Sequence, residues 1–349
     1  MRRLKIAQIG RGHDHAHVVF SALKRLPELF EIVGYADVPE DDLPYAWTKT
    51  SQKNNAYVYD GAKKYTVDEL LAMPDLDGVV IETHDLNLVK YAQKFADKGV
   101  HIHMDKAGGE SEEEFENLLS TIKQKNLVFN FGYMYRFNPM LQKTFEEIKQ
   151  GKIGKVYSVE AEMSCYYAKD KREWLGKLQS GMMQYLGCHL IDLVVRLLGE
   201  PKEIIPYNFT TGVDGVASKD VAFAVLKYDN CLATVKSSML ESGGYLRRRL
   251  IIHGEKGTME VRPLEYYTSD SSKISTKRVE TKLEDGWLGQ GEAKEESNFD
   301  RYEGMLSHFY EMIVNKKSGV VSLEEEAKIQ RCLLKAGGFD CDFKAQIKL

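Results

Sequence analysis

The run at residues 4–10, LKIAQIG, restricts most strongly what this chain can become. It is short and apolar and stops at a glycine, as a strand buried on both faces does. Gly10-Arg11-Gly12 follows, and then a helical pattern over residues 18–26. A strand, a Gly-x-Gly turn and a helix N-terminus together make an anion site. The glycines let the backbone approach a phosphate, and the helix dipole favours its charge. His15 stands where the third glycine of the dinucleotide fingerprint would be. That glycine serves close helix–strand packing, so His15 is expected to turn outward or push the helix away.

The next elements repeat the theme. Residues 30–36 (FEIVGYA) read as a second strand ending in Asp37. A carboxylate there can accept both ribose hydroxyls of an adenosine. It repels a 2′-phosphate, and no arginine follows in Val38-Pro39, so the pattern favours NAD over NADP. Residues 79–83, 100–104 and 128–132 are further strands, with a helix over 87–98. Strands alternating with helices predict a doubly wound parallel sheet, whose ligands bind at the carboxyl ends of its strands. Thr83, His84, Asp105 and Lys106 fall at such ends. A lysine there can polarise a carbonyl or lower the pKa of a hydroxyl, or it can be a solvated loop residue.

At 349 residues the chain exceeds the size at which one core stops growing. Two domains are expected, 1–133 and 134–349, with the last helix able to pack back on the first. The second half reads as α+β. Residues 156–163 alternate, 222–228 and 232–239 flank Asp229-Asn230, and 250–253 and 258–262 bracket a Gly-containing turn. These patterns predict a large, mostly antiparallel, open-faced sheet that covers a ligand or pairs with a partner subunit. Residues 269–297 read as a long polar loop, and 299–314 and 323–336 as closing helices. Residues 180–198, SGMMQYLGCHLIDLVVRLL, read as one buried helix. Tyr185 and His189, four apart, would share a face on it.

A net charge of −4 and no Lys/Arg stripe exclude a nucleic-acid footprint. No segment approaches the roughly 18 apolar residues of a membrane span, and residues 1–10 hold no signal-like apolar region. A cytoplasmic protein with reduced thiols is expected, because the five cysteines have no metal-type spacing. His13, His15, His17, His84 and His103 invite a metal reading, but they lack a recognised ligand spacing. No metal is expected, although the sequence leaves that cluster open. His103, inside a strand, requires a hydrogen-bond partner.

In this order the motifs resemble the Gfo/Idh/MocA family of sugar dehydrogenases, over nearly the whole length. Gly10, Gly12 and Asp37 resemble its cofactor loop and ribose carboxylate, and Met104-Asp105-Lys106-Ala107 stands at its Glu-Lys-Pro. Residues 133–139 (YMYRFNP) are similar to its interdomain link. Gly187, His189 and Asp192 match its active-site helix, and residues 253–258 its late hairpin. The resemblance implies an NAD-dependent dehydrogenase acting on the CH–OH group of a sugar, glycoside or cyclitol. Lys106 and His189 would be catalytic, with either His189 or Tyr185 taking the proton. Gly10, Gly12, His13, Asp37, Thr83, His84, Asp105 and Arg136 would hold the cofactor. Tyr135, Trp174 and Asp192 would face substrate, Trp174 being equally readable as core. A homodimer or homotetramer through the open sheet face is implied. The departures are Tyr185 for the family's aspartate, and Ala107 for its proline. No cis bond is expected there, and Ala107-Gly108-Gly109 should be a flexible turn. Other readings are a dinucleotide sensor without catalysis, or a glycosidase or epimerase that retains its NAD through an internal redox cycle.

Overall fold

The computed structural model describes residues 2–39, 46–267 and 273–340. Cys341 and residues 269–272 of the expected loop lie outside them. The described chain divides into two compact units, 2–133 with 302–330, and 134–301 with 331–340. The sequence places the boundary at 133/134 and lets the last helix pack back on the first domain.

The first unit is a parallel sheet of β1 (Leu4–Ile9), β2 (Phe30–Ala36), β3 (Lys64–Tyr65), β4 (Gly78–Ile81), β5 (His101–Met104) and β6 (Phe129–Phe131). Its order is β3-β2-β1-β4-β5-β6, with every pairing parallel. The connecting helices are α1 (Ala16–Lys24), α2 (Ala46–Asn54), α3 (Val67–Ala72), α4 (Leu88–Lys98) and α5 (Glu112–Gln124). All of β4 is buried, which is why it reads as an unbroken apolar run. Local chemistry sets the helix ends. Thr66 and Glu69 form a capping box on α3. Gly99, left-handed at φ 89°, ends α4, and Ser111 caps α5 ahead of three glutamates. The strand order reverses between β1 and β4, so a crevice opens at their carboxyl ends.

The second unit opens with α6 (Pro139–Lys149), where Asn138 Oδ1 accepts from the Met140 and Leu141 N–H groups and Pro139 fills the first turn. β7 (Val156–Glu162), α7 (Lys169–Leu175) and α8 (Cys188–Leu198) follow. Next come β8 (Glu203–Pro206), β9 (Val221–Lys227), β10 (Leu232–Ser238), β11 (Arg249–Gly254), β12 (Gly257–Val261), β13 (Tyr266–Tyr267), β14 (Lys273–Lys282) and β15 (Glu292–Asp300). They form one sheet, β13-β14-β12-β11-β7-β10-β9-β8, with β15 on β14. Only β7 and β10 pair parallel; the other pairings are antiparallel. Ala222, Ala224 and Leu226 alternate inward along β9, and α8 lies against β7 and β10.

Two segments differ from the expected structure. Residues 273–282 and 292–300 are strands, not loop. Cross-strand charge pairs, Lys277–Glu295 at 3.6 Å and Lys294–Glu280 at 3.3 Å, stand where an apolar alternation would have signalled a strand. Residues 180–198 are also not one regular helix, because Met183–Gly187 is a π turn leading into α8.

The chain then returns to the first unit. α9 (Glu303–Val314) buries Met305, Leu306 and Phe309 and packs on α1, β5 and β6. It starts four residues later than expected, because Phe299 and Asp300 end β15. α10 (Leu323–Gly337) is the last described helix. Among the described residues no helix is long and apolar enough to cross a membrane.

Candidate functional site

The first unit gathers its ionisable residues at the ends of β1, β4 and β5. Gly10 has φ 84°, and a Cβ there would lie 2.6 Å from Thr83 Cγ2 and 2.8 Å from Thr83 backbone atoms. Only glycine fits this approach. His15 is the N-cap residue of α1 and makes no side-chain cap bond. Its ring does not turn outward: Nδ1 meets Asp105 Oδ2 at 2.9 Å. The buried His13 Nδ1 lies 3.1 Å from the same oxygen and 3.2 Å from the His15 backbone nitrogen. His13 Nε2 is 3.7 Å from Asp85 Oδ1, and Nδ1 is 3.9 Å from Glu82 Oε2.

These charges settle one another. Burial pulls His13 down, but Asp105 and Asp85 outweigh it and raise the imidazole to about 10. Burial would raise Asp105 and Asp85, yet His13 holds both low, helped by His15 at Asp105 and Lys106 at Asp85. Glu82 goes the other way: burial and then the Asp105 charge push it up. Burial lowers His15.

Lys106 is fully buried, with Nζ 4.0 Å from Asp85 Oδ1, so it is not a solvated loop lysine. Its N–H donates to Asp105 Oδ1 at 2.6 Å. Contrary to expectation the Lys106–Ala107 peptide is cis. The turn after it is buried and held: Gln330 Oε1 accepts from Gly108 N–H at 3.1 Å, and Gln330 Nε2 donates to Gly109 O at 2.8 Å. His84 Nδ1 accepts from the Leu86 N–H at 3.3 Å. His17 and His103 are not within ligand distance of the His13–His15–Asp105 group. His103 has Asn130 Nδ2 as its partner at 2.9 Å.

The reading of Asp37 also changes. Arg11, from the glycine turn, reaches it with Nε at 2.5 Å and Nη2 at 2.8 Å. Lys64 Nζ lies 2.7 Å away. The Arg11 guanidinium also lies 5.2 Å from the ring centroids of both Tyr35 and Tyr59. The arginine absent after Asp37 in sequence is supplied from before it, so charge repulsion of a 2′-phosphate no longer separates NAD from NADP. Periodicity could not reveal this. The signal available was a basic residue between the two glycines.

In the second unit the π turn separates the surroundings of Tyr185 and His189. Tyr185 lies edge-on to Tyr167 and Trp174, at 6.0 and 5.9 Å. His189 lies edge-on to Tyr135 at 5.4 Å. A π turn takes one residue more than an α turn, so the spacing of four does not carry its usual meaning. Lys171, which the sequence reading missed, is buried with its Nζ 4.3 Å from the Trp174 ring and 5.0 Å from that of Tyr185. Trp174 itself is fully buried. Arg136 donates to Asp192 Oδ1 from Nε at 2.9 Å and Nη2 at 2.7 Å, a buried pair. The residues expected on cofactor and substrate respectively thus hold each other. Burial raises the Tyr135 phenol well above its usual range.

A parallel sheet in this order, a glycine turn in close approach, an α1 N-terminus without a side-chain cap, and a polar group at the end of β2 define a dinucleotide-type unit, and its residues fit such a ligand. Residues 141–260 match the GFO/IDH/MocA C-terminal domain. The uncharacterized oxidoreductase YhhX of Escherichia coli (strain K12) is 28% identical over 192 residues, 55% of this chain and 54% of that protein. The chain thus matches about half the length of that curated relative. A putative NADPH-dependent oxidoreductase from Desulfitobacterium hafniense superposes with TM-score 0.76 at 18% identity, covering 97% of this chain and 95% of the other. A putative myo-inositol dehydrogenase from Sinorhizobium meliloti does so with TM-score 0.68 at 19% identity, covering 95% of each. The match to the GFO/IDH/MocA C-terminal domain thus covers about a third of the chain, and the solved structures share its fold over nearly the whole length.

Proposed function

We propose that the protein is a nicotinamide-dependent dehydrogenase acting on a secondary hydroxyl of a sugar, glycoside or cyclitol. The observation that carries the reading is Lys106, fully buried at the end of β5 and 4.0 Å from Asp85, in the crevice where such sheets bind their ligands. The nicotinamide, when bound, supplies the hydride acceptor. Gly10, Gly12 and the α1 N-terminus would hold its phosphates, with Thr83 and His84 bordering the same crevice. Asp37 would hold the adenosine ribose, and NAD is the cofactor proposed. Lys106 offers a fixed cation to the substrate oxygen as it loses its proton. His189 is the proposed proton acceptor, with Tyr185 as the alternative.

The test is to incubate the protein with NAD or NADP and a panel of sugars, glycosides and cyclitols, and to follow the absorbance of the reduced cofactor. Reduced cofactor with at least one compound is expected. Silence with all of them, together with tight cofactor binding, would replace the proposal with a sensor. Substrate conversion with no free reduced cofactor would point to an internal redox cycle.

A further inference from the structure

We propose that His13, His15 and Asp105 form a binding site for one first-row divalent cation, zinc-like in its preference, with Glu82 and Asp85 beside it. One ligand atom from each of the three lies within 4.8 Å of those from the others. Asp105 Oδ2 is 2.9 Å from His15 Nδ1 and 3.1 Å from His13 Nδ1. Donors around a tetrahedral zinc, with bonds of about 2.0–2.2 Å, stand about 3.3 Å apart. The two distances to Asp105 lie within a few tenths of an ångström of that spacing.

Two further observations point inward. Both carboxylate oxygens of Glu82 and of Asp85, and His13 Nε2, are buried without a hydrogen-bond partner, which buried polar groups rarely are. Glu82, Asp85 and Asp105 also place three buried carboxylates around the His13 ring, at 3.9, 3.7 and 3.1 Å. Two imidazoles and a carboxylate are a zinc-type donor set, and imidazole in that set disfavours magnesium and calcium. The cation would pin the His13–His15 turn to the end of β5, at the position where a third glycine would otherwise let helix and strand pack together.

This site does not depend on the dehydrogenase reading, and its test needs no turnover. Untagged protein, stripped with a chelator and dialysed, is titrated with Co²⁺ while visible absorption and bound metal are measured. One Co²⁺ per chain, displaced by Zn²⁺ and unaffected by excess Mg²⁺, is expected. Asp105→Asn and His15→Asn should each weaken uptake at least tenfold. His15 is partly exposed, so its variant tests the site with little risk to the core, and circular dichroism reports its folding. Zn²⁺ should also raise the melting temperature of the wild type but not that of His15→Asn. No stoichiometric uptake by the wild type would overturn the proposal, as would equal uptake by a folded His15→Asn.

Discussion

Asp37→Ala separates the carboxylate's structural task from its proposed task on the cofactor. Asp37 takes two contacts from Arg11 and one from Lys64. Its side chain is 30% exposed and that of Lys64 59%. The Lys64 pair, so open to water, contributes about 0–1 kcal/mol, and the two-contact Arg11 pair, with its arginine 19% exposed, about 1.5–3 kcal/mol at most, so the variant should still fold. Cofactor binding should respond separately. A carboxylate accepting from ribose hydroxyls contributes about 1.5–3 kcal/mol, which is roughly a 10- to 150-fold rise in the Kd for NAD. The same change releases Arg11 and Lys64, so the Kd for NADP should hold or fall. Fluorescence titration of both cofactors against wild type and variant reads the two effects separately. An unchanged NAD affinity, or equal loss for NAD and NADP, would refute the ribose assignment.

Three further outcomes follow from individual residues. Gly10→Ala places a Cβ 2.6 Å from Thr83 Cγ2 at φ 84°; overpacking plus a left-handed alanine should cost roughly 2–4 kcal/mol in urea unfolding. Asn138→Ala removes both cap bonds of α6 and the 2.8 Å bond to Thr276. It should cost about 1–3 kcal/mol in the same assay. His101 is lowered by burial, then by Lys316, and its Nδ1 accepts the Val128 N–H at 3.0 Å. The folded protein therefore disfavours its proton, and stability present above the ordinary value near 6.5 should decline as pH falls below it. Urea unfolding of His101→Asn between pH 7 and 5 should show a shallower decline.

The first unit was legible because buried parallel strands carry continuous apolar runs and end in recognisable residues. β1, β2, β4 and β5 lie where LKIAQIG, FEIVGYA, VVIET and VHIHM put them, to within one or two residues at each end. The hairpin of β9 and β10 was legible from its alternation about Asp229-Asn230. β14 and β15 were not, because charge pairs rather than apolar residues link them. The π turn at Met183–Gly187 has no sequence period of its own, so the Tyr185–His189 spacing suggested a shared face. Side-chain pairing was least legible. That Arg11 reaches Asp37, that Arg136 holds Asp192, and that His15 turns to Asp105 depend on rotamers and strand order, which no local pattern encodes.

The central claim is that Lys106 acts on a substrate beside a bound nicotinamide cofactor. Lys106→Met keeps much of the buried side chain's volume and removes its charge. The decisive measurement compares wild type and this variant for NAD affinity and for turnover of one active polyol from the panel. Unchanged cofactor affinity with turnover lower by about 100- to 1000-fold is the expected result. Turnover that survives in the variant, or a wild type that binds neither NAD nor NADP, would contradict it.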